Sequence, residues 1–144
     1  MRATSTTTCL LLVLLALGGC SVGQPDTPMK AYRTFHGHAQ RGLSQRDEQD
    51  LQKAYAALSQ GTQQTLAKRA QQVSEASGGT VKPEPLALFF ANVPPPPDVT
   101  EVSLVRQEGD EATVLVRSSG GTSEVRMVRE PSGWKVDLSA SLQP

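Results

Sequence analysis

Two cysteines, two histidines, two tyrosines and one tryptophan are the scarce side chains of this 144-residue sequence. A thiol is the most nucleophilic group available to a chain once it ionises. Cys9 lies inside the apolar run 9–17, whereas Cys20 directly follows Leu17-Gly18-Gly19. Two cysteines are too few for a disulfide framework or an all-cysteine zinc site. His36 and His38 are two positions apart, which on a helix separates them by about 200°. They cannot face one metal ion together, and no carboxylate spacing adds further ligands. No metal and no cofactor are therefore expected. Tyr32 and Tyr55 could each donate to a developing oxyanion, although both sit on apolar stripes and read first as core residues with satisfied hydroxyls. Trp134 is expected to fill the core, with Asp137 on the opposite face, pointing to solvent or to a cross-strand arginine. Gly78-Gly79 and Gly120-Gly121 lack the spacing of a phosphate loop and read as turns. No Ser-His-Asp or Cys-His arrangement can be assembled, so no catalytic residue is assigned.

The setting of Cys20 is the strongest signal. Arg2 is followed by a hydroxyl-rich stretch, then the apolar run CLLLVLLAL, then two glycines. A charged start, a short apolar core and small residues at the cut describe a secretory signal peptide. Nine residues make roughly 13 Å of helix, too short to cross a hydrocarbon core of about 30 Å. Leu17-Gly18-Gly19-Cys20 resembles the lipobox of bacterial lipoproteins. The resemblance implies lipidation of the Cys20 sulfur, cleavage between Gly19 and Cys20, and acylation of the new amine. Several acyl chains give stable anchoring where one is marginal. Ser21 after the modified cysteine is similar to the class sorted to the outer membrane. Residues 1–19 thus read as a lipoprotein signal peptide and 20–27 as the lipidated cysteine and its tether. Residues 28–140 read as one domain and 141–144 as a tail.

The elements that must position the remaining candidates follow from periodicity. A helix is expected from Thr27-Pro28 to about Gln40, with Met29, Tyr32, Phe35 and Ala39 on one face and Gly42 as its stop. A second helix starts near Asp47 or Asp50 and carries Leu51, Tyr55 and Leu58. Thr62 is expected to cap a third, with Leu66, Ala70 and Val73 as its stripe and Ser77-Gly78-Gly79 as its end. Residues 85–91 form either a helical turn or two, or a strand. Pro94–Pro97 reads as a polyproline spacer, with recognition by a proline-binding module as the lesser alternative. From Val99 the period becomes two. Val102 and Leu104, then Ala112, Val114 and Val116, then Val125 and Met127, then Trp134, Val136 and Leu138 mark the inner face of a four-strand antiparallel meander. Arg106, Arg117, Arg126 and Arg129 interleave with Glu101, Glu108, Glu111 and Glu124, which cross-strand pairing explains. Helices first and sheet second define an α+β fold.

Lysine plus arginine and aspartate plus glutamate both number 14, with no basic block, which argues against a nucleic-acid partner. The overall 38% apolar content merges the targeting run with a leaner body.

The body resembles the cone fold shared by nuclear transport factor two and ketosteroid isomerase. The residues that carry the likeness are Ala31-Tyr32-x-x-Phe35, the helix end Asp50-Leu51-x-x-Ala54-Tyr55-Ala56-Ala57-Leu58-Ser59, and the closing Gly133-Trp134-Lys135-Val136-Asp137-Leu138. Many small bacterial lipoproteins share this pattern. The resemblance implies helices packed on a curved sheet, with a pocket that Tyr32, Phe35, His36, Tyr55 and Trp134 could line. It also implies a strand between helices and meander, for which only 80–82 or 86–90 are at hand. The expected function is a membrane-anchored, non-catalytic module of the cell envelope. It would bind a small apolar ligand or an envelope protein and could form a homodimer. The alternative is a pocket enzyme of the isomerase or dehydratase type.

Overall fold

The structure is a computed structural model, and it describes residues 26–143. The signal peptide, the Leu17–Cys20 motif and most of the tether lie outside the described residues.

Helix α1 spans Pro28–Gln45; Thr27 caps it through a 3.3 Å bond from the Lys30 N–H, and Pro28 occupies the first turn. It does not stop at Gly42. The helix ends at Arg46, which adopts the left-handed conformation with φ 56°. Gly42 serves close packing instead: a Cβ there would lie 2.6 Å from Leu51 Cδ2 and 2.9 Å from the Leu51 nitrogen. A glycine inside a helix costs about 1 kcal/mol relative to alanine, and here it lets the next helix cross tightly. Helix α2 spans Glu48–Ala56, with the Asp47 carboxylate accepting from the Gln49 and Asp50 N–H groups.

Helix α3 spans Gln60–Ala76, and its cap is Ser59 rather than Thr62. The expected Thr62 lies inside the first turn, fully buried. Leu66 and Ala70 are buried, whereas Val73 is 39% exposed. The helix ends at Ser77, followed by Gly78 and Gly79 at positive φ. Helix α4 spans Pro85–Phe90 and has no fully buried residue. This resolves residues 85–91 as helix, and no strand precedes the meander among the described residues.

Strands β1 (Val99–Glu108), β2 (Glu111–Ser118), β3 (Gly121–Glu130) and β4 (Gly133–Val136) form one antiparallel sheet in the order β1-β2-β3-β4. Turns at Gly109, Gly121 and Gly133 take positive φ, which glycine adopts without a steric cost. Alternation places Ala112, Val114, Val116, Met127, Trp134 and Val136 in the core with Ala31, Leu58 and Leu66. Each large side chain among them contributes about 1.5–3 kcal/mol by leaving water. Leu104 departs from its expected burial. It pairs with the buried Val114, but it sits on the edge strand beside a register irregularity and is 44% exposed.

The helical and sheet halves are clasped at β4. Leu58 forms a parallel bridge with Val136, through Ser59 N–H to Val136 O (2.8 Å) and Val136 N–H to Ala57 O (3.0 Å). Of the two sheet edges, β4 is therefore covered by the α2–α3 junction, and β1 has only β2 as a strand neighbour.

Candidate functional site

Three polar clusters and a set of clefts concentrate the chemistry of the described residues. The first cluster lies under the clasp. Ser59 Oγ donates to Asp137 Oδ1 at 2.8 Å, and Thr62 Oγ1 does so at 3.2 Å. Ser59 Oγ also accepts from Thr62 N–H at 3.0 Å, and Thr62 Oγ1 accepts from Leu138 N–H at 2.8 Å. The other carboxylate oxygen meets Arg126 Nη1 at 3.4 Å. Asp137 does face a cross-strand arginine, but its side chain is 7% exposed, so the solvent-facing alternative does not hold. Burial raises its pKa, and the hydrogen bonds from Ser139, Ser59 and Thr62 outweigh burial and leave it below the ordinary carboxylate value. The base beside Ser59 is a carboxylate held below its ordinary value and shared with Thr62 and Arg126, too weak to take the hydroxyl proton, so the cluster joins elements rather than activating a nucleophile.

The second cluster fills the α1–α2 elbow. His38 Nδ1 lies 2.6 Å from Asp50 Oδ1, and Arg41 Nε lies 3.0 Å from Asp50 Oδ2. The short contact to a carboxylate requires the proton on Nδ1. The Arg41 Nη2 group, 2.9 Å from the same nitrogen, therefore faces a donor and makes no bond to it. Hydrogen bonds from Arg41 and then His38 hold the Asp50 carboxyl down at about 2. An imidazole oriented by a carboxylate is the arrangement of a general base. Here no hydrogen bond joins its Nε2 to a hydroxyl or thiol among the described residues.

The third cluster places His36. It is 8% exposed, and its Nε2 donates to the Pro97 carbonyl at 2.9 Å. His36 thereby pins the end of the polyproline stretch to α1, assisted by Gln40 donating to Asp98.

The residues proposed to line a pocket are distributed as follows. Trp134 is 4% exposed within the core, with the Arg129 guanidinium 5.5 Å from its ring centre. Tyr32 and Phe35 pack against that core with ring centres 6.2 Å apart. Burial raises the Tyr32 and Tyr55 hydroxyl pKa values. Neither hydroxyl has a hydrogen bond from protein among the described residues. Tyr55 borders a polar cleft of about 390 Å³ with Gln60, Gln63, Glu130 and Lys135. The space between helices and sheet is occupied by Met127, Trp134, Leu58, Leu66 and Val114, with Phe89 packed against them.

The apolar clefts lie outside that interior, on the flanks of α4. One, about 710 Å³, runs between α3 and α4 past Leu66, Val73, Leu88, Phe89 and Val93, with Arg69 at its side, and another, about 640 Å³, lies between α2 and α4 past Leu51, Leu86 and Phe90. A third, about 340 Å³, shares Val73, Leu88 and Ala91 with the first. The sheet's outer face instead holds a charged cleft of about 250 Å³ with Arg106, Glu108, Glu111, Glu124 and Arg126. Three cross-strand pairs in this region, Arg117–Glu101 (3.4 Å), Arg126–Glu111 (2.8 Å) and Arg126–Asp137 (3.4 Å), account for much of the charge.

Sequence reasoning missed Asp50, Arg41 and the Ser59–Thr62 pair. The signals were present: His38 and Arg41 lie one helical turn apart, and a serine three residues before a threonine at a helix start is a cap pattern. Comparison of the chain with protein-family profiles, curated proteins and solved structures returns no match.

Proposed function

We propose that this chain is an exported lipoprotein, held to a membrane by acyl groups on Cys20, whose α+β body is a non-catalytic binding module. Leu17-Gly18-Gly19-Cys20 behind a short apolar run supports the anchor. Ser21 favours the outer membrane. Helices followed by a four-strand meander agree with a cone-like body.

The observation that carries the non-catalytic reading is the filled interior. An isomerase or dehydratase of the cone class needs an acid or base inside a cavity between helices and sheet. Trp134, Met127 and Leu58 occupy that space. The two largely buried carboxylates among the described residues are already committed, Asp137 to Ser59, Thr62 and Arg126 and Asp50 to His38 and Arg41. The binding surface is therefore assigned to the apolar flank of α4.

Two measurements test this reading. Cys20→Ser should abolish incorporation of labelled palmitate and leave the precursor uncleaved by the lipoprotein route; unchanged labelling and fractionation would overturn the anchor. The purified chain should not turn over ketosteroid-like or polyketide-like substrates. Turnover that disappears in His36→Ala or Tyr55→Phe would establish the enzyme instead.

A further inference from the structure

We infer that the cleft between α3 and α4 binds a single-chain amphiphile with an anionic head, its acyl chain lying along the cleft and its head paired with Arg69. This rests on the binding-module reading and names the ligand class for it.

Shape comes first. The cleft of about 710 Å³ falls within the range of small-molecule sites, about 300–1,000 Å³. A separate cleft, which Lys82 and Glu84 also line, shares Val73, Leu88 and Ala91 with it. Apart from Arg69 and Gln72 the walls of the larger cleft are apolar, and the fold leaves part of them uncovered: Val73 is 39% exposed and Val93 44%, with Val81 of the separate cleft 47% exposed. These are three of the five large apolar side chains that the described residues expose. The apolar α4, with the sequence PLALFF, has no fully buried residue. Such a surface stays in contact with water unless something apolar covers it.

Charge comes second. Arg69 is the one charged residue lining the larger cleft among the described residues. It takes part in none of the ion pairs there, and neither does its neighbour Lys68. The single acid of α3, Glu75, accepts from Gln71 at 3.0 Å. A guanidinium with no internal counter-charge at the side of an apolar cleft complements a carboxylate or a phosphate, which it can bind through two parallel bonds.

Backbone chemistry decides between a lipid and a peptide. One wall is the side of the 17-residue α3, whose interior backbone groups are committed to that helix. An extended peptide would bury amides there without partners, at a cost. An acyl chain has none to bury.

The test uses the full-length chain carrying Cys20→Ser, so that its own acyl groups stay out of the assay. The probe is cis-parinaric acid, a fluorescent fatty acid, kept below its micellar concentration. One saturable site per chain is expected, displaced by palmitate and far less well by hexadecanol, which lacks the charge. Arg69→Gln should weaken palmitate about tenfold, the scale of one charge-assisted bond, and leave hexadecanol unchanged. Val73→Glu, at an exposed helical position, should weaken both, with circular dichroism confirming the fold. Competition by palmitoyl lysophosphatidic acid against palmitate distinguishes a lysolipid source from a free fatty acid. Absence of saturable binding, or binding indifferent to both substitutions, would overturn the proposal. So would Arg69-dependent sedimentation with phosphatidylglycerol vesicles in the absence of saturable binding, which would assign the flank to the bilayer. Palmitate labelling and substrate turnover are separate readouts, so failure here is distinguishable from failure of the anchored-module reading.

Discussion

Asp50 shows how much one side chain can set at the residue scale. It is mostly buried at the elbow of α1 and α2 and accepts from both Arg41 and His38. Its folded pKa of about 2 lies below the ordinary 3.8, so it binds protons less readily in the folded chain than in the unfolded one. The stabilisation it brings is complete above the ordinary value and is lost as pH falls through about 2. Asp50→Asn should be less stable than the parent near neutrality and should flatten the fall in stability between these two pH values. Urea denaturation at a series of pH values checks both; an unchanged slope would remove the ion pair from the account. The sequence marked Asp50 only as a place near which the second helix could begin. Its two real partners, His38 and Arg41, lie one turn apart on α1 and meet it only because the chain turns back at Arg46 and Asp47. Their spacing was visible in the sequence, but the angle between the two helices was not.

At the scale of elements, two junctions hold the helices. Gly42→Ala would place a methyl group 2.6 Å from Leu51 Cδ2 and 2.9 Å from backbone. The flexible leucine can shift, but its nitrogen moves only with α2, so destabilisation of about 1–3 kcal/mol is expected from thermal melts, as for other overpacked sites. Ser59→Ala removes the cap of α3 and one of the donors to Asp137. A loss of about 1–2 kcal/mol is expected, toward the upper end of cap substitutions; denaturant midpoints measure it. The strands were the most legible elements, because alternation between apolar and polar residues has one structural meaning and glycines mark each turn. The caps were less so. Thr62 and Ser59 are both good caps by type, and the choice between them is made by Asp137, which is 78 residues from Ser59. Leu104 followed the alternation yet remained exposed, since strand period says nothing about whether a strand lies at an edge.

Across the whole molecule, helices and sheet share one core, and Trp134 is its largest side chain. Trp134→Ala should cost about 3–5 kcal/mol. In the parent chain, the fluorescence of this single tryptophan should change together with far-ultraviolet circular dichroism through one urea transition, as expected for a cooperative unit. Two separated transitions would show that the halves unfold independently. The fold class was readable from the order of periodicities, whereas the candidate site was not. A cleft on the outside of α3 and α4 depends on how far a six-residue apolar helix settles toward its neighbour, and composition does not specify this. The bridge from Leu58 to Val136 carries one more consequence. The helices are synthesised first, and the strand that completes their junction follows only after β1, β2 and β3. A nascent body therefore has no closed interior until Val136 has emerged. A premature stop before Trp134 would release a product without the Trp134 and Val136 side chains of the core and without the bridge to Leu58, and cellular proteases should remove it rather than let it accumulate as a shorter working version.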